Sequence, residues 1–227
     1  RDDGTTVTLA VDDGSSDDAF DALADQDVAV TCTDDDTAGF TVSESAGSTV
    51  VAESAGTDTF AVMLDARPES DVVLTVTSLA TAEALVDQAT LTFTAENWDT
   101  GQTVTVTGVN DDFDRDDGTT VTLAVDDGSS DDSFDALADQ NVAVTCTDDD
   151  TAGFTISESA AATVVAESAG TDTFAVVLDA RPESDVVLTV TSNAAAEATV
   201  DQATLTFTTG NWDTGQTVTV TGVDDDF

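Results

Sequence analysis

The stretch LTFTAENWDTGQTVTVTGVNDD, residues 91–112, decides the fold of this chain. It holds two runs in which apolar residues alternate with Thr, Leu91 with Phe93 and Val104 with Val106, and a polar NWDTG turn separates them. Alternation with a period of two in short runs rich in Val and Thr predicts half-buried β-strands. The same pattern recurs along the chain, and no segment has a sustained helical period. We therefore expect an all-β protein.

The chain repeats itself with a period of 114 residues, and residues 1–113 differ from residues 115–227 at 12 of 113 positions. Arrays of this kind are usually scaffolds or binding surfaces rather than catalysts. The period is longer than a solenoid unit, which has about 20–50 residues. Each copy is long enough to be a domain with its own core. Seven or so short strands per copy predict a seven-stranded antiparallel immunoglobulin-like sandwich, in tandem. Trp98 and Trp212 are expected to cover one end of each core.

The run DDDTAGF, at residues 34–40 and 148–154, indicates the joint between copies. We expect residues 1–37 to form the last two strands of a preceding repeat, residues 38–151 one complete repeat, and residues 152–227 the first five strands of a following one. No signal peptide or transmembrane run is visible, and the abrupt ends suggest a fragment of something longer. Alternatively, the head of one molecule completes the tail of another, because strand complementation removes exposed sheet edges.

The charge of the chain is strongly one-sided, with 48 acidic residues, four basic residues and no His, for a formal net charge of −44. Such a charge repels nucleic acid and anionic membrane surfaces. A chain without His, Lys or Tyr also lacks the usual partners for acid–base catalysis, so we do not expect an enzyme. The charge attracts cations, and the folded chain needs bound Ca²⁺ or high salt to offset its self-repulsion. Arg115 is expected to act as an internal counter-charge within an acidic loop.

Several motifs carry a resemblance to a known family. The segments TAGFTVSES, LTFTxxNWxxxQTVTVTGVxDD and the closing VTCTDDD resemble Calx-β repeats, which occur in tandem in very large bacterial surface proteins. The resemblance covers the whole chain in permuted register. It implies a seven-stranded sandwich, secretion, a tandem arrangement and Ca²⁺ bound at one end of each domain. The relatives usually have Asn where this chain has Cys32 and Cys146, which we expect to be buried free thiols, with an inter-chain disulfide as the alternative.

Acidic residues from separate segments are expected to meet at that end of the sandwich. The loop after the QTVTVTGV strand, the closing Asp triplet and the turn with Glu83 fall at the same end, and Glu53 precedes them in the AESAG turn. Ca²⁺ takes 6–8 oxygen ligands, which this convergence could supply. The candidate ligands are Glu53, Glu83, Asp111, Asp112, Asp114, Asp117, Asp148, Asp149 and Asp150. Their counterparts in the flanking copies are Glu167, Glu197, Asp225, Asp226, Asp34, Asp35, Asp36, Asp2 and Asp3.

Known calcium loops do not explain these acids. Counted from Asp112, the sixth position of an EF-hand would be Asp117 instead of Gly, and the twelfth would be Leu123 instead of an acid. We therefore expect a structural extracellular protein, a filament or adhesin stalk, whose partners are its own neighbouring repeats and whose Ca²⁺ ions stiffen the joints. One alternative is a Ca²⁺-dependent adhesive or ligand-binding module. Another is a halophile-type acidic surface protein without a specific ion site, whose acids are solvated loops.

Overall fold

The computed structural model describes residues 2–224 of the chain. Within them it forms 17 strands and one short 3₁₀ turn at Asp127–Ser129. A hairpin of β1 (Asp3–Leu9) and β2 (Gln26–Cys32) comes first. None of the helical structure in residues 2–224 is long and apolar enough to cross a lipid bilayer.

The middle repeat contains nine strand segments arranged in two sheets. They are β3 (Phe40–Glu44), β4 (Thr49–Ala52), β5 (Thr57–Leu64), β6 (Val72–Ser78), β7 (Ala84–Val86), β8 (Thr90–Phe93), β9 (Gln102–Gly108), β10 (Asp117–Val125) and β11 (Gln140–Thr147). One sheet has the order β4-β11-β10-β6-β8, and the other has the order β3-β5-β9-β7.

Two strands of the middle repeat change sheets part-way along their length. β3 and β4 are halves of one strand that crosses at a turn with a left-handed Gly47, and β7 and β8 are halves of another. Counted as crossing strands, the nine segments make seven. All pairings are antiparallel except that of β4 with β11, which is parallel. The expected seven-stranded immunoglobulin-like sandwich is confirmed, with one parallel pair at a sheet edge.

The core of the middle repeat follows the alternation in the sequence. Every second residue of β6, and of most of β9 and β10, is buried, and Val104 and Val106 are fully inaccessible to solvent. Phe134, from the loop between β10 and β11, belongs to the same cluster and is 1% exposed. Trp98 packs against this cluster, and Trp212 packs against the equivalent cluster of the next copy, as the sequence predicted.

The trailing copy forms six strand segments. They are β12 (Phe154–Glu158), β13 (Thr171–Leu178), β14 (Val186–Thr189), β15 (Ala198–Val200), β16 (Thr204–Phe207) and β17 (Gln216–Gly222). β14 pairs only with β16 and is four residues long, whereas its counterpart β6 has seven residues and also pairs with β10. Residues 163–166, the counterpart of β4, are not in a strand. Strand length in the trailing copy thus follows the partners that are present.

Candidate metal centre

Four segments of the middle repeat bring carboxylates to one end of the sandwich. The loop between β9 and β10 carries Asp111, and the start of β10 carries Asp117. The end of β11 leads into Asp148–Asp150, the turn after β4 holds Glu53, and the turn before β7 holds Glu83. Side-chain oxygens from these segments form two groups of three, which we name the first triad and the second triad.

The first triad consists of Glu53, Asp148 and Asp150, and one oxygen from each lies within 4.8 Å of the other two. Glu53 is buried at 4% exposure. The backbone N–H of Asp149 donates to Glu53 Oε1 over 3.4 Å, and the N–H of Asp150 donates to Asp148 Oδ1 over 2.9 Å. Asp150 Oδ2 is buried and accepts no hydrogen bond. Since a buried carboxylate oxygen without a partner is costly, this atom marks a place for a positive ligand.

The second triad consists of Glu83, Asp111 and Asp117, with the same 4.8 Å limit between ligand oxygens. Arg115 Nε donates to Asp117 Oδ2 over 2.7 Å, and the Arg115 guanidinium also pairs with Glu183. These hydrogen bonds, first to Asp117 and then to Glu183, raise the pKa of Arg115, which is ionised in any case. Arg115 is therefore the internal counter-charge of this triad in the cation-free chain.

The two triads carry more negative charge than Arg115 offsets. Burial, followed by the nearby Asp111 and Asp148 carboxylates, raises the pKa of Glu53 to about 7. Burial and the charges of Asp117 and Asp111 raise the pKa of Glu83. Burial and the neighbouring Asp148 raise the pKa of Asp150. Without a cation, part of the cluster must hold protons near neutral pH, because like charges this close resist joint ionisation.

Local backbone geometry holds Glu53 against the β9–β10 loop. Gly108 ends β9 with its backbone against the carbonyl of Ala52, where a Cβ would collide with that carbonyl. Ala55 adopts a left-handed conformation with φ of 64°, an uncommon region for a residue with a side chain. The turn closes with the N–H of Gly56 donating to the carbonyl of Ala52 over 2.8 Å. Such strain persists where the surrounding structure fixes it, often at functional sites.

Three predicted ligands of the middle repeat lie beside the triads and not within them. Asp112 and Asp149 are exposed, and their charges help to raise the pKa of Asp150. The Asp114 carboxylate instead accepts the N–H of Ala152 over 2.7 Å. Asp114 thus ties the β9–β10 loop to the segment that begins the next copy.

The candidate ligands of the flanking copies are not gathered into triads within residues 2–224. Glu167 and Glu197 are exposed, and so are the acids of the leading hairpin, Asp2, Asp3, Asp34, Asp35 and Asp36. The hairpin keeps its local contact, in which Asp34 N–H donates to Asp2 Oδ1, and its acids line a cavity together with Glu69 of the middle repeat. Asp225 and Asp226 lie outside the described residues.

The sequence did not indicate how the joint to the trailing copy is built. The Phe113 ring contacts two guanidinium groups, with Arg115 at 4.7 Å and Arg181 at 4.8 Å from the ring centroid. The N–H of Arg181 donates to the carbonyl of Asp112 over 2.6 Å. Cation–π contacts of this kind are favourable and directional. The FDR motif at residues 113–115, together with Arg181 one period after Arg67, could have suggested this contact of Phe113 with two Arg side chains.

The two thiols differ in environment. Cys146 is 2% exposed, and its thiol donates to the carbonyl of Glu83 over 3.3 Å. Burial, and then the charge of Glu83, raises the pKa of Cys146, so the thiol stays protonated. Cys32 is exposed, and the expectation of burial is wrong for it, because within residues 2–224 β2 pairs with β1 alone in a two-stranded sheet.

Comparison with known proteins gives likeness of structure only. No family model and no curated protein matches the sequence. A solved structure of the calcium binding domain CBD12 of CALX1.1 is 17% identical, with 78% of this chain and 74% of that chain covered and a TM-score of 0.37. Domains 1–6 of the surface layer protein SbsC are 16% identical, with 87% and 23% covered and a TM-score of 0.36. At these identities and TM-scores no function is transferred from either protein.

The residues of the triads fit a hard cation. Every donor is a carboxylate oxygen, and such oxygens suit Ca²⁺ more than soft metals, which prefer thiolate and imidazole. The buried Glu53 and the unpartnered Asp150 Oδ2 both place negative charge where water does not solvate it fully. The middle repeat therefore contains acidic clusters that could hold metal ions.

Proposed function

We propose that this chain is a structural extracellular tandem-repeat protein whose repeats bind Ca²⁺ at the end that faces the next repeat. The observation that carries the proposal is the meeting of six carboxylates in two triads at the joint, with Glu53 buried and Asp150 Oδ2 without a partner. The acids of the triads would supply the oxygen ligands, and the ion would supply the missing positive charge.

Stiffening of the joint is part of the same proposal. The β9–β10 loop gives Asp111 to the second triad and, a few residues on, contacts the trailing copy through Asp112, Asp114 and Arg115. A cation that fixes one side of this loop would fix the other side as well. Without the cation, repulsion between the loop and Asp148–Asp150 would let the joint flex. A filament or adhesin stalk is the role that a stiffened acidic array suits best.

Titration calorimetry with Ca²⁺ on the full chain tests the binding. We expect a dissociation constant between roughly micromolar and millimolar at fixed ionic strength. Replacing Glu53→Gln together with Glu83→Gln should abolish the heat. The matched control is Glu167→Gln with Glu197→Gln, at a concentration where the chain is monomeric. It makes the same change in the trailing copy, whose residues up to Asp224 form no triad. No saturable binding in any variant would leave the acidity as a general salt adaptation, which responds to any salt at tenths of molar.

Small-angle scattering tests the stiffening separately. The proposal predicts a longer maximum dimension and a narrower distribution of shapes in Ca²⁺ than in EGTA. An identical length with and without the chelator would contradict the stiffening, even if calorimetry detects bound ions.

A further inference from the structure

The leading hairpin exposes apolar side chains that its counterpart in the middle repeat buries. Five large apolar residues of the hairpin and its loop are 50–58% exposed, namely Val7, Leu9, Phe20, Leu23 and Val28. The counterparts Val121, Leu123, Phe134 and Val142 are at most 3% exposed, and Leu137 packs against the same core. The two hairpins differ in sequence only at residues 19 and 27. The leading hairpin is therefore made for a core that it does not touch in this structure.

The trailing copy has the matching gap. A cavity of about 530 Å³ opens beside the joint, where Phe113, Asp114 and Arg115 form part of its wall. Its apolar lining in the trailing copy includes Phe154, Leu178, Ala180, Pro182, Val186 and Leu188. In the middle repeat the counterparts Phe40, Leu64, Val72 and Leu74 belong to the same core cluster as Phe134. Phe154 is 52% exposed, while Phe40 is 4% exposed. The open cavity thus corresponds to the site that Phe134 and its hairpin fill in the middle repeat.

The backbone of the trailing copy also lacks the partners that a hairpin would supply. β14 ends at Thr189, whereas β6 continues for three further residues along β10. Residues 163–166 form no strand, whereas β4 pairs with β11. Neither place is among the residues that line the cavity, so the missing strand pairing is a separate sign that the trailing copy lacks partners.

We infer that this face of the trailing copy binds the leading hairpin of a second copy of this chain, in the register that β10 and β11 hold on the middle repeat. By that register Thr8 lies opposite Thr191 of the second copy, as Thr122 lies opposite Thr77. β2 runs parallel to residues 163–166 of the second copy, as β11 does to β4. Phe20 fills the cavity, and Cys32 becomes buried as Cys146 is.

Polar groups on the hairpin match the same face. In the middle repeat the Asp131 carboxylate accepts the N–H groups of Glu69 and Ser70, and Gln140 Nε2 donates to the Phe40 carbonyl. The counterparts Asp17 and Gln26 instead make local contacts, Asp17 with Ala19 and Gln26 with two adjoining carbonyls. On docking, Asp17 meets the N–H groups of Glu183 and Ser184.

Association of this kind is head to tail, because the hairpin and the cavity are different surfaces at opposite ends of the chain. Such a heterologous contact builds open-ended oligomers unless its rotation closes a ring. The net charge of −44 opposes it, so we expect it to require high ionic strength or divalent cations. Docking also places Asp34 and Asp36 beside Glu167, as Asp148 and Asp150 lie beside Glu53. Any effect of Ca²⁺ on association rests on the proposed function; the docking does not.

Sedimentation velocity of the full chain tests the docking. In 1 M NaCl with EGTA, where the screening length is about 3 Å, the weight-average mass should rise with concentration beyond that of a dimer. Phe20→Asp should weaken association at least tenfold. Leu79→Asn is the matched control, because Leu79 is 68% exposed outside both surfaces and the other copy carries Asn193 there. A monomer at all concentrations, or an unaffected Phe20→Asp variant, would overturn the inference.

Disulfide trapping tests the register. In a Cys32→Ser background, Thr8→Cys with Thr191→Cys should give a ladder of disulfide-linked chains, because opposed residues of paired strands are close enough to bridge. Thr8→Cys with Thr189→Cys, shifted by two residues, should bridge at least tenfold more slowly. A bridge within one chain would show that the hairpin docks on its own trailing copy and would overturn the inference. Stronger association in CaCl₂ would support the proposed ion sites, and unchanged association in CaCl₂ would count against those sites alone.

Discussion

The middle repeat and the copies that flank it have nearly the same sequence but bury different parts of it. Phe134 is 1% exposed, whereas Phe20, its counterpart, is 55% exposed. Glu53 is buried in a triad, whereas Glu167 is exposed and belongs to no triad formed by residues 2–224. The difference shows that neither the core nor the candidate ion site is a property of one segment. Both arise when strands from distant parts of the repeat close the sandwich.

Truncation of Phe134 should give the largest difference in stability between the middle repeat and the leading hairpin. Phe134→Ala removes a fully buried ring from the middle core and should cost about 3–5 kcal/mol of unfolding free energy. The same change at the exposed Phe20 should cost under about 0.5 kcal/mol in the monomeric chain. Urea unfolding of both variants at low protein concentration measures the difference. Equal losses would mean that the two hairpins pack alike in solution.

The Asp131 carboxylate should give the next largest effect. It is 8% exposed and accepts from Glu69, Ser70 and Ser133, and these hydrogen bonds lower its pKa to about 2. In Asp131→Asn only one of the two acceptor oxygens remains, so the groups that donated to the other oxygen lose their partner. We expect a loss of about 2–3 kcal/mol of unfolding free energy.

Asp17→Asn is the matched control, because within residues 2–224 of the monomer the Asp17 carboxylate accepts only the N–H of Ala19. Urea unfolding at neutral pH measures both variants. In the parent chain the contribution of Asp131 should disappear as the pH falls from about 4 to about 2, because protonation then removes the acceptor. Equal losses of unfolding free energy in Asp131→Asn and Asp17→Asn would contradict the role of the Asp131 carboxylate.

The pH dependence of the cation-free chain should separate Glu53 from Glu167. The pKa of Glu53 rises from 4.5 to about 7 on folding, so the native state binds the proton more tightly than the unfolded chain. Stability in EGTA should therefore fall by roughly 2 kcal/mol as the pH rises from about 4.5 to about 7, and change little above that. Glu53→Gln should flatten this slope, and Glu167→Gln should leave it unchanged. A slope that rises with pH in this window, after correction for other acids, would contradict the burial of Glu53.

The smallest effect concerns a turn whose residue differs between the copies. Gly47 and Ala161 occupy the same position with φ of 80° and 63°, a left-handed conformation that favours Gly. Gly47→Ala should destabilise the middle repeat by about 1 kcal/mol, and Ala161→Gly should stabilise the trailing copy by a similar amount or less. Thermal unfolding of both variants checks the signs. If Gly47→Ala stabilises the chain or Ala161→Gly destabilises it, packing and not φ decides the stability of this turn.

Strand alternation was enough to predict the sandwich, because every second residue of runs such as Val104–Val106 faces one core. The convergence of Glu53, Glu83 and the Asp-rich segments could also be expected from the order of strands and the family resemblance, and the structure places six of the nine expected acids in triads. The sheet crossings of β3–β4 and β7–β8 could not be predicted, because they depend on turns that change partners. The FDR motif could have suggested a contact at Phe113 but not its geometry, because Arg181 reaches the ring only after the second copy has folded.

The central claim is that a complete repeat, and not the acidic sequence alone, creates the ion site. The most direct measurement is the melting temperature of the full chain in Ca²⁺ and in EGTA at fixed ionic strength, at a concentration where it is monomeric, for the parent, Glu53→Gln and Glu167→Gln. Saturating Ca²⁺ should raise the melting temperature of the parent and of Glu167→Gln by on the order of 10 °C, and that of Glu53→Gln by far less. An absent rise in the parent, or an equal rise in all three proteins, would contradict the claim.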